Sequence, residues 1–480
     1  RWAMNKKKTK KLPGDIIAKK PRESEIAKSS FTVEERNLTS RTFSSPVILI
    51  TIFVILIALG TLLLVLPVSQ TSGEFGDPLT AVFTATSAVT VTGLTVTETG
   101  THWTVFGQSV ILFLIFVGGL GFMTLAAFLL AVLGKRVSIA QRLLIRESLS
   151  VDRMGGLQKL SIAIVFTAVL IQILGFILLL SRLIFLYEYD TAIWLSLFHS
   201  ISGFNNAGFV ISPSGYSPLI GPDNKIVLLI IGSLITLGSL SYWVVQDLAT
   251  KRNFREFSLV TKIVLMMTVV MTSLASISFL LSEYGNYSTI GSLNLSDKVI
   301  ISIFEGISGR TAGFSTIDYT NALPATEVVM TFMMFIGGAT ASVAGGVKVT
   351  TFLILVLSVI ALIREKTYVS AFGREIDQDT IKRSYAVFFI SLAFVFICIF
   401  LLALTNSKIQ FDRIVFESFS AFGTVGLSSG ATETLNTFGR IVLILTMFIG
   451  RIGPLIIGLK MVPNQDSSSY RPASETVTIG

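Results

Sequence analysis

Residues 86–97 read TSAVTVTGLTVT, a run of threonine and valine around one glycine. Similar short segments follow at FNNAGF (204–209), RTAGFS (310–315) and GTVGLS (423–428). The glycines they share are spaced 115, 105 and 113 residues apart, and they are Gly93, Gly208, Gly313 and Gly426. An internal repeat of this kind is a property of a whole architecture rather than of one loop. The spacing therefore predicts four structural units, each built around one glycine segment.

The composition is that of a membrane protein. Hydrophobic residues make up 51% of the 480 residues and charged residues only 14%. A bilayer crossing needs about 20 apolar residues. The sequence has eight such runs, which predict an all-α polytopic membrane protein with eight transmembrane spans at 46–67, 105–132, 160–180, 226–245, 263–281, 328–363, 386–404 and 441–459.

The basic residues are distributed unevenly. Lysine and arginine number 12 in 1–42, six in 135–159, four in 246–262 and five in 364–383. The intervening connections together hold seven: Arg182, Lys225, Lys298, Arg310, Lys408, Arg413 and Arg440. Because cytoplasmic connections are enriched in Lys and Arg, both termini are predicted to be cytoplasmic. Topology and attraction to the lipid bilayer account for the net charge of +9, so we expect no nucleic acid partner.

Each predicted unit consists of a span, a short apolar segment, a glycine segment and a second span. The expected boundaries are 43–134, 157–250, 259–363 and 384–460, between a basic cytoplasmic tail at 1–42 and a polar tail at 461–480. The short apolar segments have about ten residues and cannot cross a bilayer. We therefore expect four membrane, pore-loop, membrane repeats around a central pore.

The glycine segments are candidates for an ion-selectivity filter. Irregular backbone at membrane depth is tolerated only where it is buried in protein or lines a water-filled cavity. Glycine permits left-handed backbone angles that turn carbonyl groups toward such a cavity, where they can replace the hydration shell of a cation. The predicted filter residues are Val91, Thr92, Gly93, Asn206, Ala207, Gly208, Thr311, Ala312, Gly313, Thr424, Val425 and Gly426.

The run 328–363 is too long for one crossing. As a continuous helix it would extend about 54 Å, against a hydrocarbon core of about 30 Å. Small residues and four glycines predict a break and an intramembrane gate at Gly337, Gly338, Ala339, Thr340, Ala341, Ser342, Val343, Ala344, Gly345 and Gly346.

Two basic residues at membrane depth are further gate candidates. Arg451 lies near the middle of the last span, where a charge is costly unless it faces a cavity or a partner. It is either a fixed positive charge below the filter or a strut bound to backbone carbonyls. Lys348 follows the glycine-rich stretch and is either a residue reaching for the cytoplasm or part of the gate.

Catalysis and cofactor chemistry are not indicated. The chain has two histidines and one cysteine, Cys398, and it lacks metal-hydrolase and P-loop motifs. We expect no enzyme and no cofactor in this chain. His199, Glu305 and Glu417 lie on the short apolar segments, where they either form hydrogen bonds behind the filter or contribute to a field that concentrates cations.

Six motifs occur in one order: VTVTGL, FHSISGFNNAGF, FEGISGRTAGFS, GGVKVTTF, FESFSAFGTVGLSS and FIGRIGPL. Over roughly residues 43 to 460 the chain resembles the Trk/Ktr/HKT superfamily of potassium transporters, and most closely its bacterial KtrB-type membrane subunits. The resemblance implies potassium uptake across the bacterial plasma membrane, with potassium as the substrate at the filter carbonyls. It also implies a homodimer and a cytosolic ring of nucleotide-binding KtrA/TrkA-type subunits, with nucleotide only on that partner and sodium as a candidate activator.

Two other kinds of function stay open on the sequence. An alternating-access, cation-coupled secondary transporter also uses broken helices and a site at the membrane midplane. Paired inverted halves would favour it, whereas the four predicted units all begin and end inside. A membrane scaffold without transport is opposed by the four glycine segments.

Overall fold

The helices of the computed structural model account for nearly all of its regular structure. The model describes residues 45–121, 157–212, 219–340 and 342–460, so the predicted tails, most of the connection between the first two units, and Ala341 lie outside the described residues. The α-helices are α1 Ser45–Val65, α2 Pro78–Thr90, α3 Thr99–His102, α4 Val105–Leu120, α5 Leu157–Leu183, α6 Tyr189–Phe204, α7 Lys225–Ser239, α8 Tyr242–Thr250, α9 Leu259–Glu283, α10 Leu295–Thr311, α11 Pro324–Phe335, α12 Val349–Ile363, α13 Gln378–Thr405, α14 Phe411–Gly423, α15 Ala431–Thr434 and α16 Thr437–Lys460.

Several described helices have the length and apolar character of membrane spans. Four segments qualify by length and composition: Ser161–Leu183, Pro222–Ser239, Leu259–Glu283 and Gln378–Thr405. Shorter apolar helices of 10–17 residues are Ile50–Val65, Val105–Leu120, Pro324–Phe335 and Val349–Ile363. Large apolar side chains point outward from them, among them Leu62, Phe166 and Phe400, each about two-thirds exposed. So much exposed apolar surface suits contact with lipid rather than water.

The helices pack in four sets of three. The sets are α1, α2 and α4; α5, α6 and α7; α9, α10 and α11; and α13, α14 and α16, with all three helices of each set in mutual contact. Each set also touches the next, chiefly through α4 with α6, α7 with α10, α11 with α14 and α16 with α2. These contacts close a circle, so α2, α6, α10 and α14, named here the central helices, surround one axis.

Local sequence explains where the central helices begin. Asp77 caps α2 through its carboxylate, which accepts hydrogen bonds from the backbone N–H of Leu79 at 3.3 Å and of Thr80 at 3.0 Å. Pro78 occupies the first helical position, where its missing N–H costs nothing. Asn294 caps α10 in the same way, accepting from Asp297 N at 3.0 Å.

Two inner helices are interrupted. The long run 328–363 breaks between the end of α11 and the start of α12, at residues 336–348. The predicted span 226–245 contains two helices, because α7 ends at Ser239 and α8 begins at Tyr242, with Leu240 in an extended conformation. At this interruption the Gly238 and Ser239 carbonyls accept hydrogen bonds from the other interrupted segment. Gly238 also packs closely on α6, where a Cβ would collide with the Phe204 carbonyl.

The expectation of an all-α fold is wrong in one element. Strand β1, Ser370–Ala371, pairs antiparallel with strand β2, Arg374–Glu375, between α12 and α13. The two-residue turn has positive φ at Phe372 (50°) and Gly373 (76°), as a type I′ hairpin turn requires. The hairpin forms because Gly373 accepts this geometry without strain.

Candidate functional site

The four glycine segments meet at the axis of the helix circle. All four glycines have positive φ: 91° at Gly93, 70° at Gly208, 72° at Gly313 and 98° at Gly426. A Cβ built on Gly93 would lie 2.9 Å from the Gly208 Cα, one on Gly208 3.3 Å from the Gly313 Cα, one on Gly313 2.9 Å from the Gly426 Cα, and one on Gly426 3.0 Å from the Gly93 Cα. The glycines thus form a closed ring in chain order.

Backbone carbonyl groups lie between neighbouring glycines in this ring. The Cβ built on Gly93 would be 2.5 Å from the carbonyl oxygen of Ala207, and the one on Gly208 would be 2.7 Å from that of Ala312. The remaining two glycines face the carbonyls of Val425 and Thr92 in the same way. Glycine is therefore required twice, once by its backbone angles and once because no side chain has room.

The residue two positions before each glycine shows where the four loops differ. Val91, Asn206 and Thr424 have φ of 57°, 55° and 49°, a left-handed conformation that is uncommon for residues other than glycine, above all for a β-branched one. Thr311 instead is the last residue of α10, and Ala312 has φ −122°. The third loop is thus built differently, and Thr311 shares a hydrogen bond of 2.9 Å with the Asn206 side chain of the second loop.

A buried serine fixes each loop, which sequence reasoning missed. The hydroxyls of Ser87 and Ser420 accept hydrogen bonds from the Gly93 N–H at 3.0 Å and the Gly426 N–H at 3.1 Å. Those of Ser202 and Ser308 donate to the carbonyls of the residues after the other two glycines, at 2.9 and 2.5 Å. A serine five or six residues before each glycine is visible in the sequence, and the repeat register could have found it.

Buried polar residues one or two turns further back hold the segments that follow the glycines. Glu305 accepts hydrogen bonds from Thr316 N at 2.6 Å and from the Tyr319 hydroxyl at 2.8 Å. Glu417 accepts from the hydroxyls of Ser428 at 2.5 Å and Thr432 at 2.7 Å.

His199 has the same kind of contacts on α6. Its Nδ1 lies 2.8 Å from the Leu195 carbonyl, and its Nε2 accepts from Ile211 N at 3.3 Å. With the two glutamates, these contacts favour hydrogen bonding behind the ring over a direct role in the outer field.

Arg310 lies in the connection between α9 and α11, as predicted, but it is buried there. It lies in the last turn of α10 and is only 3% exposed, because that helix continues to Thr311. Its Nη1 donates to the Thr272 hydroxyl at 3.1 Å on α9. Arg310 is therefore held behind the third glycine loop rather than in solvent.

The loop at residues 336–348, named here the intramembrane loop, begins and ends at the same place, where backbone hydrogen bonds join its two ends. Gly337 N donates to the Val347 carbonyl at 2.8 Å, and Val347 N donates to the Phe335 carbonyl at 3.2 Å. In its interior, Ala339 N donates to the Ser239 carbonyl at 3.1 Å, at the interruption between α7 and α8.

The intramembrane loop also touches the glycine ring. A Cβ on Gly345 would collide with the Thr424 side chain, and one on Gly346 would be 3.3 Å from the Gly423 Cα. The Lys348 ammonium donates to the Ala344 carbonyl at 2.5 Å, so Lys348 bonds to the loop itself. The end of the predicted gate segment, at Gly345 and Gly346, is thus adjacent to the fourth glycine loop.

Arg451 on α16 joins the intramembrane loop to another helix. One guanidinium nitrogen donates to the Val343 carbonyl in the loop, and the other donates to the Gly118 carbonyl in the last turn of α4 at 2.9 Å. Both partners are backbone carbonyls, so Arg451 links the loop to α4 through hydrogen bonds, as in the second of its two predicted roles. Because one partner belongs to the loop, the bond also fixes the loop position.

The site suits a cation without any acidic ligand. All four central helices end at the ring, and helix C-termini carry partial negative charge that favours cations. Among the described residues, no group of three or more His, Cys, Asp or Glu side chains could hold a metal ion. Backbone carbonyls are therefore the available ligands, and they suit a monovalent cation that sheds its hydration shell.

Comparisons with known proteins identify the family and the fold of this chain. The profile of TrkH, described as cation transport protein, matches residues 25–470. The chain is 40% identical to the Ktr system potassium uptake protein B of Bacillus subtilis, over 91% of this chain and 97% of that protein. It is 37% identical to the potassium/sodium uptake protein NtpJ of Enterococcus hirae, again over 91% and 97%. The crystal structure of the potassium transporter TrkH from Vibrio parahaemolyticus has the same fold, with a TM-score of 0.67, 19% identity and coverage of 90% of this chain and 86% of that one.

Proposed function

This chain belongs to the TrkH family of cation transport proteins, and we propose that it is the ion-translocating subunit of a potassium uptake system. It is a multi-pass protein of the plasma membrane. In our proposal the four sets of helices are four repeats around one pore, and potassium crosses through the ring formed by Gly93, Gly208, Gly313 and Gly426. The carbonyls of the residue before each glycine would coordinate the dehydrated ion.

One observation carries this proposal: four glycines about a hundred residues apart in sequence form one closed ring with a carbonyl between each pair. A ring of carbonyls replaces the hydration shell of an ion without a fixed charge, which allows the ion to leave again. The serine bonds behind each loop hold the carbonyls in place, so that coordination does not have to order a mobile loop.

The second candidate is an alternating-access transporter. Interrupted helices of the kind formed by α7 with α8, and by α11 with α12, are typical of such proteins. The fourfold circle of helices favours channel-like conduction, because alternating access uses two halves that rock about a site.

The intramembrane loop is the proposed gate. It lies against the fourth glycine loop and is held there by Arg451 and by the interruption at Ser239. We infer that conduction requires the loop to leave this position. A cytosolic ring of nucleotide-binding regulatory subunits would control that movement in a homodimer of this chain, with the nucleotide on the ring only.

Sodium is the other cation to consider. One relative is a potassium/sodium uptake protein, and another is part of a system named Ktr. We propose sodium as an activator of potassium uptake.

The experiment that tests the function is potassium-dependent growth of a strain without its own uptake systems, followed by flux in proteoliposomes. The chain should restore growth at low potassium, and its flux per molecule should exceed what a carrier cycle allows. A fixed stoichiometric coupling of potassium to a second ion at carrier rates would favour alternating access instead.

Arg451→Gln should raise cation flux by about tenfold in the absence of the regulatory ring. The substitution removes the charge-assisted bond to the Val343 carbonyl, and such bonds contribute about 1.5–3 kcal/mol. Flux in proteoliposomes measures the effect. Arg440→Gln, at the outer end of the same helix, is the matched control and should conduct as the parent does.

A variant at Arg451 that fails to assemble would indicate that the strut mainly holds α16 to α4. Arg451→Lys then separates the two roles, since lysine keeps the positive charge but lacks the two guanidinium nitrogens that reach the Val343 and Gly118 carbonyls together. Normal assembly of Arg451→Gln with unchanged flux would remove Arg451 from the gate.

A further inference from the structure

The interrupted helices α7/α8 and α11/α12 contact each other in two places, at their interruptions and again in the connections that follow α8 and α12. Within the membrane, the intramembrane loop donates to the carbonyls at the end of α7, from Ala339 N to Ser239 at 3.1 Å and from Val343 N to Gly238 at 3.5 Å. Beyond α8 and α12, the chain forms two basic connections, and these also touch. A movement of α8 therefore acts on the segment that holds the loop.

The hairpin after α12 carries a strained aromatic residue at its tip. Phe372 has φ of 50°, which is unfavourable for a bulky side chain, and a type I′ turn prefers asparagine there. Its ring packs on that of Phe254 with centroids 6.2 Å apart, edge to face. Since backbone strain persists only where surrounding contacts determine it, the contact with Phe254 gives a physical reason for phenylalanine at this position.

Phe254 belongs to the turn between α8 and α9, and this turn is rigidly attached to α8. Asp247 on α8 accepts hydrogen bonds from Ser258 N at 3.0 Å, from the Thr261 hydroxyl at 2.6 Å and from Lys251 at 2.6 Å. The Phe254 ring also packs on Phe257, at 5.8 Å between centroids. The turn that carries Phe254 is thus bonded to α8 at both ends, through Lys251 and Ser258, while Thr261 links α8 to α9.

One apolar cluster continues from the hairpin to the intramembrane loop. Its buried members come from the hairpin, α8 and the residues just before it, α9, the loop and α12. Among them are Val369, Ala371, Ile376, Val244, Leu240, Ile336, Ala339 and Val349. Closely packed interiors transmit displacement instead of absorbing it.

We propose that the hairpin at 369–376, through the contact of Phe372 with Phe254, is the cytosolic input that moves the intramembrane loop. This inference rests on the proposed function, in which the loop is the gate and a cytosolic ring controls it. The ring displaces the exposed tip of the hairpin, the tip moves α8, and α8 withdraws the Gly238 and Ser239 carbonyls from the loop. Phe372 and Phe254 are 45% and 50% exposed, so both are within reach of a partner.

The test is Phe372→Asn, compared with Phe254→Ala and with Tyr368→Ala. Asparagine relieves the turn strain and keeps the hairpin while it removes the ring, so a folding defect is not expected. Phe254→Ala removes the same contact from the other side. Tyr368 is a similarly exposed aromatic residue, 49%, just before the hairpin, and it serves as the control.

The readout is rubidium flux in proteoliposomes with and without the regulatory ring subunits, expressed as a ratio. The ratio should fall at least about fivefold in Phe372→Asn and Phe254→Ala, the lower range for coupling between distinct sites, and stay at the parent value in Tyr368→Ala. In a chain that lacks residues 339–346, Phe372→Asn should cause no further change. The proposal is overturned if both phenylalanine variants have the same flux ratio as the parent. It is also overturned if Phe372→Asn still changes the ratio in the chain that lacks residues 339–346.

The chain that lacks residues 339–346 distinguishes failure of the proposed gate from failure of the proposed hairpin input. If that deletion removes ring dependence while Phe372→Asn leaves it intact, the gate stands and the hairpin is not its input. If the deletion leaves ring dependence unchanged, the proposed gate and this inference fail together.

Discussion

Gly93→Ser should lose about tenfold or more of the preference for potassium over sodium, equivalent to roughly 1.4 kcal/mol of differential coordination. A Cβ at this position would lie 2.5 Å from the Ala207 carbonyl oxygen and 2.9 Å from the Gly208 Cα. Real atoms cannot approach so closely, so the first two loops must separate and their carbonyls must change position. Relative permeability from reversal potentials in planar bilayers measures the loss.

Gly73→Ser is the matched control for this substitution. Gly73 has φ of 70°, yet nothing lies within 4 Å of a Cβ built there. It therefore reports the cost of serine in left-handed backbone without a collision, and its permeability ratio should equal that of the parent. An unchanged ratio in a well-folded Gly93→Ser protein would mean that the glycine ring does not select the ion.

Deletion of residues 339–346 should raise potassium flux by about tenfold and make it nearly independent of the regulatory ring. The segment contacts the fourth glycine loop and is the proposed obstruction. Its ends are already paired, from Gly337 N to the Val347 carbonyl at 2.8 Å, so the deletion can be sealed without moving α11 or α12. Potassium flux with and without the ring subunits measures the result.

Gly345→Ala offers a milder form of the same experiment. Its added methyl group would collide with Thr424, which pushes the loop away from the ring while the chain keeps its length. A smaller increase in flux is expected than for the deletion. If the deleted chain assembles and conducts no better than the parent, the obstruction lies elsewhere in the pore.

The features that could be predicted from the sequence are those that show as a repeat spacing or as the length of an apolar run. The four glycine segments recur at nearly constant spacing, and the structure brings them into one ring. The interruption after Phe335 could be predicted because a helix of 36 residues is longer than the membrane is thick.

The features that sequence missed depend on single contacts. The interruption between Ser239 and Tyr242 lies inside an apolar run, and the Gly238 and Ser239 carbonyls bond there to the intramembrane loop, which is distant in sequence. Hydropathy cannot detect such a contact. The burial of Arg310 was missed for a similar reason, because nothing in the sequence indicates that α10 continues to Thr311.

For Glu305, Glu417 and Arg451 the sequence left two alternative roles, and the hydrogen-bond partners in the structure favour one of them. The side chains of Glu305 and Glu417 could have faced either the outer vestibule or the protein, since both are charged residues on short apolar segments. Their hydrogen bonds to Thr316 and Thr432 place them against the chain that follows each glycine. Arg451 likewise has backbone carbonyl partners that only a structure can identify.

The most direct measurement for the carbonyl ring is anomalous diffraction from crystals of the full chain grown with rubidium in place of potassium. The account predicts a rubidium peak on the axis of the ring, coordinated by the carbonyls of the residues that precede Gly93, Gly208, Gly313 and Gly426. Excess potassium should remove the peak, and excess sodium should not. A rubidium peak at another site in the membrane domain, with none at the ring, would contradict it.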